Sequence, residues 1–287
     1  MNSTGSSDSA AQGGYRQVGG AWVHEGARLG ENVILEPGAL VGDQVELGDD
    51  TWLGSGAVVK GPSKLGIGNK IYPSAVLGEP PQDISYDGSP TRLEVGDRNV
   101  FREGVTVHRG TVKGGGLTRV GNDNYFMVGS HVGHDCIVED HVVLSNDVLL
   151  AGHCHIQSHA NFGGGVAIVQ FTTVGRLSFV GGLSGTQKDL PPFMVHDGQP
   201  ALVRGVNLVG CRRGGVPRQS IQALKDAYHF LFDDTDSMFG PEDIGEARVE
   251  LEKRGVLTDE VEELLDFMQC TRDGRYGRML QQRKKES

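Results

Sequence analysis

Aromatic residues make up only 6% of the 287, and no apolar run approaches the eighteen residues that a membrane-spanning helix needs. The N-terminus, MNSTGSSDSAAQGG, lacks the charged-then-apolar order of a secretory signal. The four cysteines, Cys136, Cys154, Cys211 and Cys270, include no CxxC pair, so neither a disulfide framework nor a thiolate zinc site is expected, and the thiols read as free and buried. Basic residues are the minority, 27 against 37 acidic, and a net charge of −10 argues against a general nucleic-acid binder, whose surface must neutralise phosphates. A local basic patch can still receive an acidic partner. No Gly-x-Ser-x-Gly elbow or P-loop appears, which leaves serine-hydrolase and NTP-motor chemistry without support. A cytoplasmic protein with no integral membrane segment is the expectation.

Glycine, by contrast, is abundant: 36 of the 44 fall in residues 19–215 and five in residues 216–287, so the composition breaks near residue 215. Within the rich part, stepping by six from Val23 lands on Leu29, Leu35, Val41, Leu47, Leu53, Val59, Leu65, Ile71 and Leu77. The period returns at Val95, Phe101 and Val107, then runs unbroken from Val120 through Phe126, Val132, Val138, Leu144, Leu150, Ile156, Phe162, Ile168 and Val174 to Val180. A period of six fits neither a 3.6-residue helix nor a hairpin sheet; it is the repeat of a parallel β-helix. Three hexads close one coil of about eighteen residues, and each aliphatic residue stacks on its equivalent one coil away, with strands about 4.8 Å apart. Glycine often follows the aliphatic residue, as at Gly30, Gly42, Gly48, Gly54, Gly66, Gly121 and Gly175, which suggests corners with the unusual dihedrals that glycine adopts cheaply. The period leaves the hand of the coil open.

The β-helix is expected over residues 21–192, after a Ser/Gly-rich segment, residues 1–20, expected to be disordered. Residues 78–94, GEPPQDISYDGSPTRLE, break the register with three prolines and predict a protruding loop, a common place for function. Residues 193–287 form a C-terminal region, mainly α-helical. Ile221, Leu224, Tyr228, Leu231 and Phe232 recur at helical spacing after Pro217, and a second such pattern, Val261, Leu264, Leu265 and Met268, follows a candidate cap at Thr258.

Six of the ten histidines, His131, His134, His141, His153, His155 and His159, fall within 29 residues. From His134 to His153 is nineteen residues, one coil plus one, which puts them on the same side of the helix roughly 5–6 Å apart by the strand spacing. With His131 they occupy outward hexad positions. A lone outward histidine is ordinarily solvated surface, whereas a stacked group of neutral imidazoles can accept and return a proton. Asp135 follows His134, and at a corner its carboxylate could fix the imidazole tautomer.

The hexads together with FREGVTVHRGTVKGGGLTRVGNDNYFMVGSHVGHDC (Phe101–Cys136), LAGH (Leu150–His153), VGGLSG (Val180–Gly185) and GVNLVGCRR (Gly205–Arg213) resemble the acyl-[acyl-carrier-protein]–UDP-N-acetylglucosamine O-acyltransferases of lipid A synthesis, over about residues 20–275. The resemblance implies a left-handed parallel β-helix, a homotrimer with sites between subunits, an acyl carrier protein as donor and UDP-N-acetylglucosamine or its 3-amino analogue as acceptor. It implies no cofactor and no metal. His134 matches the catalytic base, Asp135 its orienting partner and Gly152 the backbone donor to the oxyanion. His131, His153, Gln82, Asp83, Gln170, Asn207 and Arg213 match substrate-binding positions, and Gly182 matches the residue that measures the acyl chain. The chain departs from the pattern at Ser85, where a lysine is usual, at Val169 (histidine), at Val209 (glutamate) and at Gly214 (arginine).

Three other readings compete. A γ-type carbonic anhydrase is also a trimeric β-helix, with three histidines from neighbouring subunits on a metal; the 78–94 loop and the helical tail weigh against it. A nucleotide-sugar-binding scaffold without turnover would account for the pocket departures. The N-acyltransferase of the same pathway carries a separate N-terminal domain, for which there is no room before Val23.

Overall fold

The computed structural model describes residues 13–232 and 243–281. Residues 15–206 form three sheets of ten, eight and ten strands, most of them two residues long. Face one runs from Ala21–His24 to Gly185–Thr186, face two from Arg28–Leu29 to Thr173–Val174, and face three from Ile34–Leu35 to Ala201–Val206. The hexad residues pair in parallel register coil upon coil: Val41, Val59, Leu77, Val107, Val132, Leu150 and Ile168 on face one, and Leu53, Ile71, Phe101, Phe126, Leu144, Phe162 and Val180 on face three. These side chains fill the interior of the prism, and Phe101 stacks on Phe126 at 4.9 Å. Aliphatic columns of this kind remove nearly all of their apolar surface from water, the main favourable term in such a fold.

The glycines do a different job from the one the repeat suggests. The left-handed backbone lies three residues after most inward residues, and most of these positions are not glycine, as at Asn32, Gln44, Asp50, Asp123, Asp135, His141 and His153. Gly48, directly after Leu47, needs no unusual dihedral but has no space: a Cβ there would lie 2.5 Å from the carbonyl of Gly66 one coil on. Close approach of stacked corners, rather than φ, selects glycine at that position.

Two insertions leave the prism at the same edge, where face one turns into face two. Residues 80–91 separate the strands Val76–Glu79 and Arg92–Val95, and residues 109–116 separate Thr106–His108 and Leu117–Val120 one coil later. The next coil carries His134 at this edge.

Of the expected disordered segment, residues 1–12 lie outside the described residues, while Tyr15–Val18 forms a strand antiparallel to Ala21–His24. The open edge of the first coil offers unpaired backbone groups, and Tyr-Arg-Gln-Val caps it. At the other end, helices α1 (Leu208–Arg213), α2 (Arg218–Phe232), α3 (Ile244–Lys253) and α4 (Asp259–Asp273) gather a second core around Ile221, Leu224, Leu231, Val261, Leu264, Leu265 and Met268. Arg176 ties α4 to the coil by donating from Nε to Glu263 at 2.6 Å. Thr258 holds the cap position of α4, but its hydroxyl makes no capping bond.

Candidate active site

Inward Val132 is followed by Gly133, His134 and Asp135, and the left-handed φ of 61° at Asp135 turns two adjacent side chains toward each other. Asp135 Oδ2 lies 2.7 Å from His134 Nδ1. The same carboxylate accepts the Thr111 backbone N–H on Oδ1 and the Thr111 hydroxyl on Oδ2, both at 2.7 Å, while the Asp135 N–H donates to Thr118 Oγ1. Burial by itself would raise the Asp135 carboxyl; the bonds from His134 and Thr111 together outweigh it and hold the group below its usual value. Asp135 is therefore an anion that only accepts, so Nδ1 carries a proton and, in the neutral imidazole, Nε2 is the acceptor.

The coil partner of His134 is Gly152, and that of Asp135 is His153. A Cβ on Gly152 would meet the His134 ring at 2.5 Å, so glycine is what leaves the imidazole its place. The Gly152 N–H has no acceptor among the described residues. His153 stands edge-on to His134 at 5.1 Å between centroids and stacks on Phe171 at 4.4 Å. Burial lowers its pKa, against the raising pull of Asp135. His131 shares a 2.7 Å hydrogen bond with Thr106 Oγ1, stands edge-on to His108, and is pushed down to about 4, first by burial and then by His108 and His134, so it is neutral. The stack does not simply face solvent as its outward spacing suggests: the insertions at this edge leave His134 only 8% exposed.

Asp83 belongs to the same neighbourhood. Its Oδ1 accepts the Ser85 N–H and hydroxyl, bonds that lower its pKa, with further lowering from the charges of Lys113 and His134. Gln82 is exposed in this loop, and Gln170 is exposed at the same edge, one coil beyond Gly152. Asn207 and Arg213 lie elsewhere. They line a cavity of about 530 Å³ between α1 and face three, with His141, His159, Leu177, Val209 and Gly214. Asn207 caps α1 by accepting from the Gly210 N–H at 2.9 Å and donates to the Leu177 carbonyl at 2.8 Å. Gly182 sits at the third edge, where face three turns back toward face one. One chain thus brings His131, His134, Asp135, Gly152, His153, Gln170 and the 80–91 loop to one edge and leaves Asn207, Arg213 and Gly182 on the other two.

Sequence reasoning missed Thr111 and Thr118, which hold Asp135, and Thr106, which holds His131. The Gly114–Gly116 run was the available signal, since a Cβ on Gly114 would strike the Asp135 carboxylate. Ligand atoms of His134, Asp135 and His153 lie within 4.8 Å of one another, the spacing of a possible metal site. The donor set fits a metal poorly, because Asp135 already receives three protein donors.

The C-terminal region, residues 189–276, matches the model of domain 2 of the UDP-N-acetylglucosamine O-acyltransferases. An acyl-[acyl-carrier-protein]–UDP-N-acetylglucosamine O-acyltransferase of Anaeromyxobacter sp. (strain Fw109-5) is 42% identical over 214 residues, 75% of this chain and 81% of the relative. The chain belongs to this family. Solved UDP-N-acetylglucosamine O-acyltransferases share its fold: that of Moraxella catarrhalis is 38% identical with a TM-score of 0.80, covering 87% of this chain and 95% of its own, and that of Bacteroides fragilis is 31% identical with a TM-score of 0.81, covering 88% and 96%. The prism is accordingly the left-handed parallel β-helix of the family, and the chain is an acyltransferase.

Proposed function

We propose that this protein transfers a 3-hydroxyacyl chain from acyl carrier protein to the 3-position of UDP-N-acetylglucosamine, the first step of lipid A synthesis, with His134 as general base. The observation that carries the mechanism is the His134–Asp135 pair, whose 2.7 Å bond fixes the tautomer and leaves Nε2 as acceptor. The acceptor's 3-hydroxyl gives its proton to Nε2 while its oxygen attacks the thioester carbonyl. The Gly152 N–H, which has no acceptor among the described residues, then donates to the tetrahedral oxyanion, an interaction typically worth a few kcal/mol. The intermediate collapses, the C–S bond breaks, and the imidazolium returns its proton to the departing thiolate. Asp135 stays ionised throughout and stabilises the imidazolium. His131 and His153, both neutral, position the substrate, with Gln82, Asp83 and Gln170 around them. Such a reaction needs no cofactor, and use of a carrier-protein donor agrees with a cytoplasmic location.

The chemistry of the three faces supports a homotrimer. Several outward residues of face two are charged and paired, as in Arg28–Glu46 and Arg119–Glu94. Face one instead presents Trp22, Leu40, Val58, Val76 and Leu149, and face three Ile34, Trp52, Val100, Tyr125, Val143 and Phe179. Packing face one of one copy against face three of the next covers both stripes, and such a head-to-tail contact repeated about a threefold axis makes a closed ring. It also sets the His134 edge of one copy beside the Asn207–Arg213 cavity of its neighbour, while an acyl chain lying between the faces runs inward toward the edge that carries Gly182.

Mass spectrometry of products from a panel of acyl carrier proteins, with UDP-N-acetylglucosamine and its 3-amino analogue, tests the reaction; acylation of neither acceptor overturns it. Complementation tests the assembly. Co-refolding equal amounts of His134→Ala and Arg213→Ala chains should restore about a quarter of the sites, because each site draws its two residues from different copies of a closed ring. No recovery above the separate variants would place both residues in sites of one chain.

A further inference from the structure

We propose that Lys113 is a substrate-binding residue of this site, its ammonium holding the anionic sugar-nucleotide acceptor against Asp83 and His134. The inference rests on the acyl-transfer reading above and gives a role to a residue to which the resemblance assigned none. Lys113 sits in a single 3-10 turn, Val112–Gly114. That turn is clamped at both ends: Thr111 gives its N–H and its hydroxyl to Asp135, and Gly114 packs so closely on the Asp135 carboxylate that no side chain fits. Any displacement of the turn disturbs the partner of His134, so the base of the Lys113 side chain is fixed relative to the reacting edge.

The side chain crosses to the other insertion, where Nζ donates to Ser85 Oγ at 2.6 Å and Ser85 in turn donates to Asp83 Oδ1 at 2.7 Å. Ser85 is the position at which the family pattern has a lysine. Here that position is short and neutral, and the cation reaches the same spot from the adjacent coil. One of the three ammonium N–H groups is used on Ser85, which leaves two donors for a ligand. The acceptor is the substrate they serve, because its reacting oxygen must come to His134 Nε2 at this mouth. The acyl chain leaves along the packed faces in the other direction. His131 and His153 are neutral and Asp83 is anionic, and among the cations at this edge Arg109 is engaged with the Gly61 and Gly78 carbonyls and the Tyr86 hydroxyl, so Lys113 is a positive charge with donors to spare for a nucleoside-diphosphate sugar.

The test compares wild type, Lys113→Gln and the double variant Lys113→Gln/Ser85→Lys. The KM for UDP-N-acetylglucosamine should rise about tenfold in Lys113→Gln, as for loss of one charge-assisted bond at a partly exposed site, with kcat within about twofold and the KM for acyl carrier protein unchanged. Calorimetry with the sugar nucleotide alone should show the same weakening, and the double variant should recover most of it. A purely structural role would lower the melting temperature or kcat and would not be rescued from residue 85. An unchanged acceptor KM, a shift confined to the donor, or a failed rescue overturns the assignment and leaves acyl transfer standing, whereas absence of acylated product from wild type overturns both.

Discussion

Replacing Gly152 with alanine adds one methyl group where the structure leaves none for it. The new Cβ would lie 2.5 Å from His134 Cε1, 2.7 Å from Nε2 and 2.9 Å from Nδ1. Relief to ordinary contact, about 3.5 Å between carbons, asks the ring to retreat by about 1 Å. The retreat cannot be shared with Asp135, which Thr111 holds through two bonds of 2.7 Å, so the His134–Asp135 bond and the direction of Nε2 both change. A misplacement of about 1 Å in a reacting group typically costs about a hundredfold in rate, and the altered carbonyl-to-N–H geometry at residue 152 adds to it. Stability should change little: Gly152 is outside the left-handed region, so alanine brings no backbone strain, and the clash is with one side chain at the surface of the prism. Initial rates with product quantified by mass spectrometry, alongside thermal melting, read the two effects separately. If Gly152→Ala kept kcat within about threefold of wild type at an unchanged melting temperature, neither His134 nor the residue 152 N–H could be acting as described.

His134→Ala should lower kcat by 10²–10⁴-fold, the usual span for a general base, with little change in melting; more than about a tenth of wild-type kcat in His134→Ala would move the role to His131 or His153. Gly182→Met should shift the donor preference toward shorter acyl chains, because even a Cβ there comes to 3.3 Å of the Gly164 carbonyl oxygen; an unchanged chain-length profile shows that another residue sets the limit. His196 is fully buried and its pKa is lowered by that burial to about 4, so its contribution to stability is present above about pH 6.5 and is lost as the pH falls toward 4, up to about 3 kcal/mol. Asp189, raised by burial to about 6, works in the opposite direction over pH 6 to 4, since the protonated form is favoured in the fold. His196→Gln should therefore lose less stability than wild type between pH 7.5 and 5 in denaturant titrations, and parallel losses would refute the assignment.

The coil was legible because a β-helix writes its architecture into the chain at a fixed interval: each inward residue answers only to its neighbours one coil away, and Val132, Leu150 and Ile168 are therefore placed by arithmetic. What arithmetic misread was the cause of the glycines. The sequence shows that residue 48 is glycine; only the stacked backbones show that the obstacle is the carbonyl of Gly66 rather than the dihedral. Tyr15–Val18 was hidden for a related reason, as its partner is an open edge that exists only once the first coil has formed. The hydroxyl of Thr258 follows the same rule in reverse, since a good capping residue at the right place makes no bond in the packed helix.

The site was legible to the extent that it repeats. His134 and His153 fall near one another because they obey the coil, and the count of one coil plus one puts their rings at one edge, where they stand 5.1 Å apart; the count does not show why the residue stacked on His134 must be a glycine. Thr111 and Lys113 obey no period. They belong to insertions, and an insertion of seven residues shifts the stacking interval at this edge from eighteen to twenty-five, as the pairing of Thr106 with His131 shows. Counting each insertion as a loop at one named edge, instead of as a break in the pattern, would have placed residues 80–91 and 109–116 over the same corner as His134. The remaining parts, Arg213 and Gly182, could not be joined to that corner by any reading of one chain, because they stand on other edges of the prism. Their union requires two apolar faces to meet across copies, so the completeness of the site and the burial of those faces are one physical requirement rather than two.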